Sequence, residues 1–201
     1  IIEGKGGHAA LPHMTKDTIT IGSQIINALQ TIVSRKLNPV EKGVVSVTEF
    51  ITDGKKNILP GNGLIKGDAR ALSDKSNDII EKNMKEIVEG LALANGIKAS
   101  VNYIRNCPVT INAELPTHKA LKTAKKLVGE DKVDGNCEPR LFSEDFSIMS
   151  QNIPGCFILM GNGTNGSNGQ PLHSSDYDFN DDALVVGSSY WSLLVENVLN
   201  V

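Results

Sequence analysis

The chain has 201 residues, 40% of them hydrophobic, with 20 basic against 23 acidic side chains and a formal charge of −3. That length supports one large domain or two small ones, and the composition argues against disorder and a membrane span. With a slightly acidic balance and 4% aromatic residues, it has neither a basic footprint for phosphate backbones nor many platforms for stacked bases, so nucleic acid is not an expected partner.

Residues 1–10, IIEGKGGHAA, read as an opening strand. Over residues 17–36, Ile21, Ile25, Leu29, Ile32 and Val33 recur at three- and four-residue spacing, which places them on one face of a helix with Thr15 as its expected N-cap. A β-branched run follows at 43–52, and a second, LIKGDARAL, comes after the turn-forming PGNG at 60–63, so the two read as neighbouring antiparallel strands. Residues 76–95 carry Ile80, Met84, Ile87, Val88 and Leu91 on one helical stripe, stop at Asn95-Gly96 and give way to the alternating strand IKASVNYI. The order β-α-β-β-α-β predicts a ferredoxin-like unit, with four antiparallel strands and both helices on one face.

The character changes after Cys107-Pro108, and a domain boundary is expected near there, giving 1–108 and 109–201. A short helix is expected over 117–128 with Leu121, Ala124 and Leu127 inward, a buried strand at CFILMG (156–161), and a last helix over 181–200. Between strand and helix lies GNGTNGSNGQPLHSSDYDFND, a Gly/Asn-rich loop of a length that usually carries function or is disordered. Cys107, Cys137 and Cys156 are odd in number and never form C-x-x-C, which points away from a disulfide scaffold or zinc knuckle and towards a reducing, cytoplasmic setting. The chain opens at Ile1 with neither Met nor an apolar signal core, as expected of a processed product or a fragment.

Of the four histidines, His118 beside Lys119 reads as a surface residue, and His13 has no feature to set it apart. His8 follows Gly6 and Gly7, which allow close backbone approach at a strand end; the plainer reading is a glycine bulge. His173 precedes Ser174, Ser175, Asp176, Asp178, Asp181 and Asp182, oxygen donors able to orient or supplement an imidazole ligand; the plainer reading is a polar turn before a helix. Ser143 is expected to cap a helix whose first turn holds Glu144 and Asp145. GNGTNG lacks the Gly-Lys-Ser/Thr of a phosphate loop, and the sequons at Asn162 and Asn165 carry little weight without a secretory signal.

Together, GKGGHAALPH, NILPGNGLIKGDAR, SEDFS, PGCFILMGNG and PLHSSDYDFND resemble, in order along the chain, the second half of the dinuclear metal amidohydrolases. That family includes aminoacylases, hippurate hydrolases and auxin-conjugate amidohydrolases, and is related to carboxypeptidases of the G type. The resemblance implies an α/β fold in which a ferredoxin-like lid, residues 1–108, forms a homodimer and is followed by the C-terminal part of a zinc-peptidase-like catalytic domain, residues 109–201. His173 matches a metal ligand, and His8 matches a lid histidine that reaches across the dimer to stabilise the oxyanion of the tetrahedral intermediate. Asn57 and Arg70 match substrate-contacting lid positions, the Arg fork suiting a carboxylate.

The implied cofactor is a pair of divalent ions, zinc-like, with manganese, cobalt or nickel as alternatives, and the implied substrate is a small N-acyl amino acid or peptide-like amide. In the complete enzyme the metal pair would activate a water whose proton a glutamate outside this sequence would take. The family's other metal ligands and its general base have no match here, and one histidine falls short of the roughly three protein ligands of a catalytic zinc. The chain alone is therefore expected to be inactive and to bind no metal tightly. The competing reading is a non-catalytic dimerising or regulatory module derived from the same family.

Overall fold

Ile2, at the start of the chain, is 2% exposed, and the first unit is built around it. The computed structural model describes residues 1–199, in two units: Ile1–Val109 with Pro139–Ser143, and Thr110–Glu138 with the chain from Glu144 onward.

In the first unit, β1 (Ile2–Glu3) and β2 (Gly7–His8) precede α1 (Thr18–Thr31), which widens into an extra turn at Ile32–Lys36. Then come β3 (Gly43–Thr52), β4 (Ile58–Leu59), β5 (Asn62–Ala71), α2 (Asp74–Asn95) and β6 (Lys98–Ala99). The main sheet has the order β3-β5-β1-β6, antiparallel throughout, which is the predicted ferredoxin-like arrangement. The expected opening strand is in fact divided, since β2 leaves the sheet and pairs with β4 in a separate two-stranded ribbon. The alternating segment after Gly96 contributes only the two residues of β6 as strand.

The helical stripes seen in the sequence face the core, with Met84, Ile87 and Leu91 partly buried, except that Val33, in the widened turn, is 37% exposed. Ile21, Ile25 and Leu29 of α1, with Ile32, pack on Ile80 and Val88 of α2 and on Ile2 and Val45 of the sheet. Each such aliphatic side chain contributes roughly 1.5–3 kcal/mol by leaving water. The caps differ from expectation at one end. Thr15 does not cap α1, because Lys5 and Lys16 exchange backbone hydrogen bonds of 3.0 and 2.9 Å that keep the chain extended two residues longer. Asp17 takes the role, its Oδ1 accepting from the backbone N of Ile19 at 2.9 Å. Ser73 caps α2, which ends on Gly96 in the left-handed conformation at φ 61°.

The second unit contains α3 (Glu114–Val128), α4 (Phe146–Ser150) and α5 (Ala183–Leu199). Helix α3 starts three residues before the expected 117, because Pro116 in the first turn removes only an N–H that has no intrahelical acceptor. Ala120 and Thr123 of α3 and Ala183 and Tyr190 of α5 are buried, and Asn197 Nδ2 donates to Thr123 Oγ1 at 3.2 Å.

Residues 156–161 are not a strand, because no strand runs beside them among the described residues. A side chain stands in for a neighbour: Asn112 Oδ1 accepts from Phe157 N at 2.8 Å while its Nδ2 donates to Phe157 O at 2.9 Å. Ile158, Leu159 and Met160 beyond it are 39%, 56% and 49% exposed. Helix α5 has Glu196 as its one charged residue and exposes Leu184, Val185, Trp191 and Val195, the composition of a helix covered on more than one side. Among the described residues no helix is long and apolar enough to cross a membrane.

Candidate functional site

His8 sits on the small ribbon, opposite Ile58 of β4, with Gly7 opposite Leu59. The ribbon requires glycine before it: a Cβ on Gly6 would lie 2.8 Å from the Leu59 carbonyl oxygen and 3.0 Å from Gly61 N. Two bonds tie it to the body of the unit, from Gly4 N to Gly61 O at 2.8 Å and from the buried Thr18 hydroxyl to Pro60 O at 3.2 Å. Asp53 fixes the same corner by accepting from Asn62 N at 3.0 Å and Asn62 Nδ2 at 2.7 Å. Those two bonds hold its carboxyl below the usual carboxylate range.

The imidazole of His8 is oriented locally. Ala10 N donates to His8 Nδ1 at 3.1 Å, which assigns the ring proton to Nε2 and leaves Nε2–H as an outward donor. Asn57 lies beside it, its carbonyl oxygen accepting from Ala9 N at 3.0 Å. The structure therefore brings His8 and Asn57 to one corner of the unit.

Arg70 stands elsewhere. It lies on β5 opposite Val44, eight residues beyond Asn62, or about 26 Å of extended strand from the corner where the ribbon joins. Its Nε donates to Asp68 Oδ2 at 2.6 Å and its Nη1 to Ser143 Oγ. Its Nη2 group makes no hydrogen bond among the described residues. Ser143 is thus a partner of Arg70 and not the expected helix cap; α4 is preceded by Asp145, which makes no capping bond through its side chain. Asp68 is readable from sequence, since residues two apart share a face of a strand. Ser143, 73 residues away, is not.

His173 lies in the long loop of the second unit with φ 69°, the single described non-glycine residue with positive φ. The loop is gathered by Asn162, whose Nδ2 donates to Asn168 O at 2.9 Å and Asp178 O at 2.8 Å, and whose Oδ1 accepts from Asn180 N at 2.8 Å. In the sequence Asn162 stands out only as a sequon, because it is the first of three similar Asn-Gly pairs. The acidic residues after His173 do not converge on it: among the described residues no three His, Cys, Asp or Glu side chains gather as a metal site. The residues present therefore do not fit a metal ion by themselves. His118, with Glu114 at 4.0 Å on the same exposed helix face, is a surface residue.

A family model described as peptidase family M20/M25/M40 matches residues 4–197. Hippurate hydrolase of Campylobacter jejuni is 35% identical over 191 residues, covering 95% of this chain and 49% of that protein. N-acetyldiaminopimelate deacetylase of Leuconostoc mesenteroides is 34% identical over 188 residues, covering 92% and 47%. Among solved structures, Bacillus subtilis YxeP, described as a dinuclear metal binding peptidase from the M20 family, matches with a TM-score of 0.71 and 27% identity, over 92% of this chain and 46% of that one. The chain spans about half the length of the curated relatives it matches. The matched stretch takes in His8, Asn57, Arg70 and His173, and the chain belongs to peptidase family M20/M25/M40.

Proposed function

We propose that this chain is the lid, residues 1–108, and the following catalytic part, residues 109–201, of a homodimeric amide hydrolase acting on N-acyl amino acids. The observation that carries the reading is the placement of His8 on the ribbon that adjoins the start of β5 and of Arg70 near the far end of β5. A substrate of amino-acid size cannot touch both within one chain, whereas two copies related by a twofold axis can offer His8 from one and Arg70 from the other. The ten residues of β3, an edge strand with one side unpaired, supply the surface on which two copies join.

In that assembly His8 Nε2–H donates to the oxyanion that develops as the amide carbonyl is attacked. Asn57 holds the substrate beside it, and the free donors of Arg70 take the carboxylate. Of the proposed pair of divalent ions, this chain contributes one ligand, His173. The substrate class is supported by the names of relatives, among them N-acetylcysteine deacetylase of Bacillus subtilis and an IAA-amino acid hydrolase of Arabidopsis thaliana, 31% and 35% identical. A module that only dimerises has no use for the free Nε2–H, which favours the hydrolase over the dimerising or regulatory reading.

The test joins this chain to the first half of a relative such as the Campylobacter hippurate hydrolase, supplies zinc or manganese, and follows amino-acid release from N-acyl amino acids. His8→Ala is expected to lower kcat by about a hundredfold, the loss typical of one oxyanion donor, with KM little changed. An unchanged kcat overturns the assignment of His8, and a monomer by light scattering at micromolar concentration overturns the shared site.

A further inference from the structure

We propose that Asn162 is a positioning residue that holds the His173 loop in one conformation and so fixes the direction from which that imidazole is presented. Residues 162–180 have no regular structure beyond one tight turn at Ser167–Gly169, and ordering so long a loop is entropically costly. The three bonds of the Asn162 amide go to main-chain groups 6, 16 and 18 residues along the chain. One side chain thereby joins the outgoing arm at Asn168 to the returning arm at Asp178 and Asn180. Two longer bonds support the same closure, from Asn168 Nδ2 to Asp178 O at 3.3 Å and from Asp178 N to Ser167 O at 3.3 Å.

His173 lies between those arms in a left-handed conformation that is uncommon for a non-glycine residue. The sequence Asn162-Gly163-Thr164, an acceptor sequon on paper, is here a structural clasp with both amide hydrogens committed. Asn165-Gly166-Ser167 repeats the motif, but the Asn165 side chain takes no part in the clasp, so it serves as an internal control.

The discriminating substitution is Asn162→Asp. It keeps size and shape, and leaves an oxygen to accept from Asn180 N, but replaces the NH2 group and its two donor hydrogens by one carboxylate oxygen that faces the carbonyls of Asn168 and Asp178. Hydrogen exchange of the whole chain is expected to speed up across residues 167–180 by about tenfold or more, as follows from losing the two donor bonds of the amide. The His173 imidazole resonances should shift and broaden, while amides of α3 and α5 keep wild-type protection. Asn165→Asp should leave both readouts unchanged, and Asn162→Gln, whose amide is one carbon too far out, should not restore them. Wild-type exchange and an unmoved His173 signal in Asn162→Asp would overturn the proposal. So would loosening that spreads equally through α3 and α5, because Asn162 would then act on the unit as a whole.

The functional meaning of the clasp rests on the reading of His173 as a metal ligand. Loop order is measured without metal, so failure of that reading appears separately, as unchanged metal content when His173→Ala is made in the joined, metal-loaded enzyme.

Discussion

Changing glycine to alanine should have opposite effects at two positions of the first unit, with the sign set by what the new methyl group meets. At Gly6 the Cβ would lie 2.8 Å from Leu59 O and 3.0 Å from Gly61 N. Both are backbone atoms that cannot rotate away, and ordinary contact begins at 3.4 Å. The ribbon carrying His8 must open by several tenths of an ångström, at a cost of about 1–3 kcal/mol. At Gly90, inside α2, nothing lies within 4 Å of the added Cβ. There alanine removes backbone freedom from the unfolded chain and should stabilise by about 0.5–1 kcal/mol.

The assay is hydrogen exchange of the slowest amides of α1 and α2, which reports opening of this unit independently of the second. Exchange at the ribbon, read separately, should rise in Gly6→Ala alone. The reasoning is refuted by a neutral or stabilising Gly6→Ala, or by a Gly90→Ala that destabilises by more than about 0.5 kcal/mol, since either outcome would mean that the packing around these backbones differs from that described.

Ile80, fully buried between α2 and the sheet, should cost about 2–5 kcal/mol as Ile80→Ala, measured by the same slow amides; a loss below about 1 kcal/mol would place it outside the core. Glu81 accepts from Lys85 Nζ and Arg105 Nη2, each at 2.6 Å, and the Lys85 bond followed by the Arg105 bond holds its carboxyl below the ordinary range. A depressed carboxyl contributes stability above its unfolded pKa and loses it as pH falls through the folded one. Glu81→Gln should therefore shrink the stability difference between pH 7 and acid, and an acid limb as steep as wild type in thermal unfolding across that range would contradict the pairing.

The ferredoxin-like order was readable because two helical stripes and two β-branched runs carry different periods, and most of the helical stripe positions, though not Val33, face the core. What the sequence concealed depended on partners far along the chain. Thr15 and Asp17 are both competent caps, and the backbone bridge between Lys5 and Lys16 decides between them. CFILMG has the composition of a central strand, but a strand is a pairing, and an Asn112 side chain is what pairs with it here. In the site, His8 and Asn57 were legible as motif residues, while their adjacency depended on β2 leaving the main sheet. The engagement of Arg70 by Ser143 and the clasp made by Asn162 both link segments whose spacing carries no periodic signal.

The span of β5 between the ribbon corner and Arg70 also has a genetic consequence. On the shared-site reading, a cell carrying one His8→Ala copy and one Arg70→Ala copy assembles mixed dimers in which one site has lost both groups and the other has lost neither. Half of randomly paired dimers are mixed, so two null alleles should complement each other to about a quarter of wild-type activity. Two different lesions at the same end of the strand, at His8 and Asn57 for example, should not complement in this way, because each intact site draws both residues from one copy. The sheet thus sorts loss-of-function alleles into two classes according to which end of a single strand they strike.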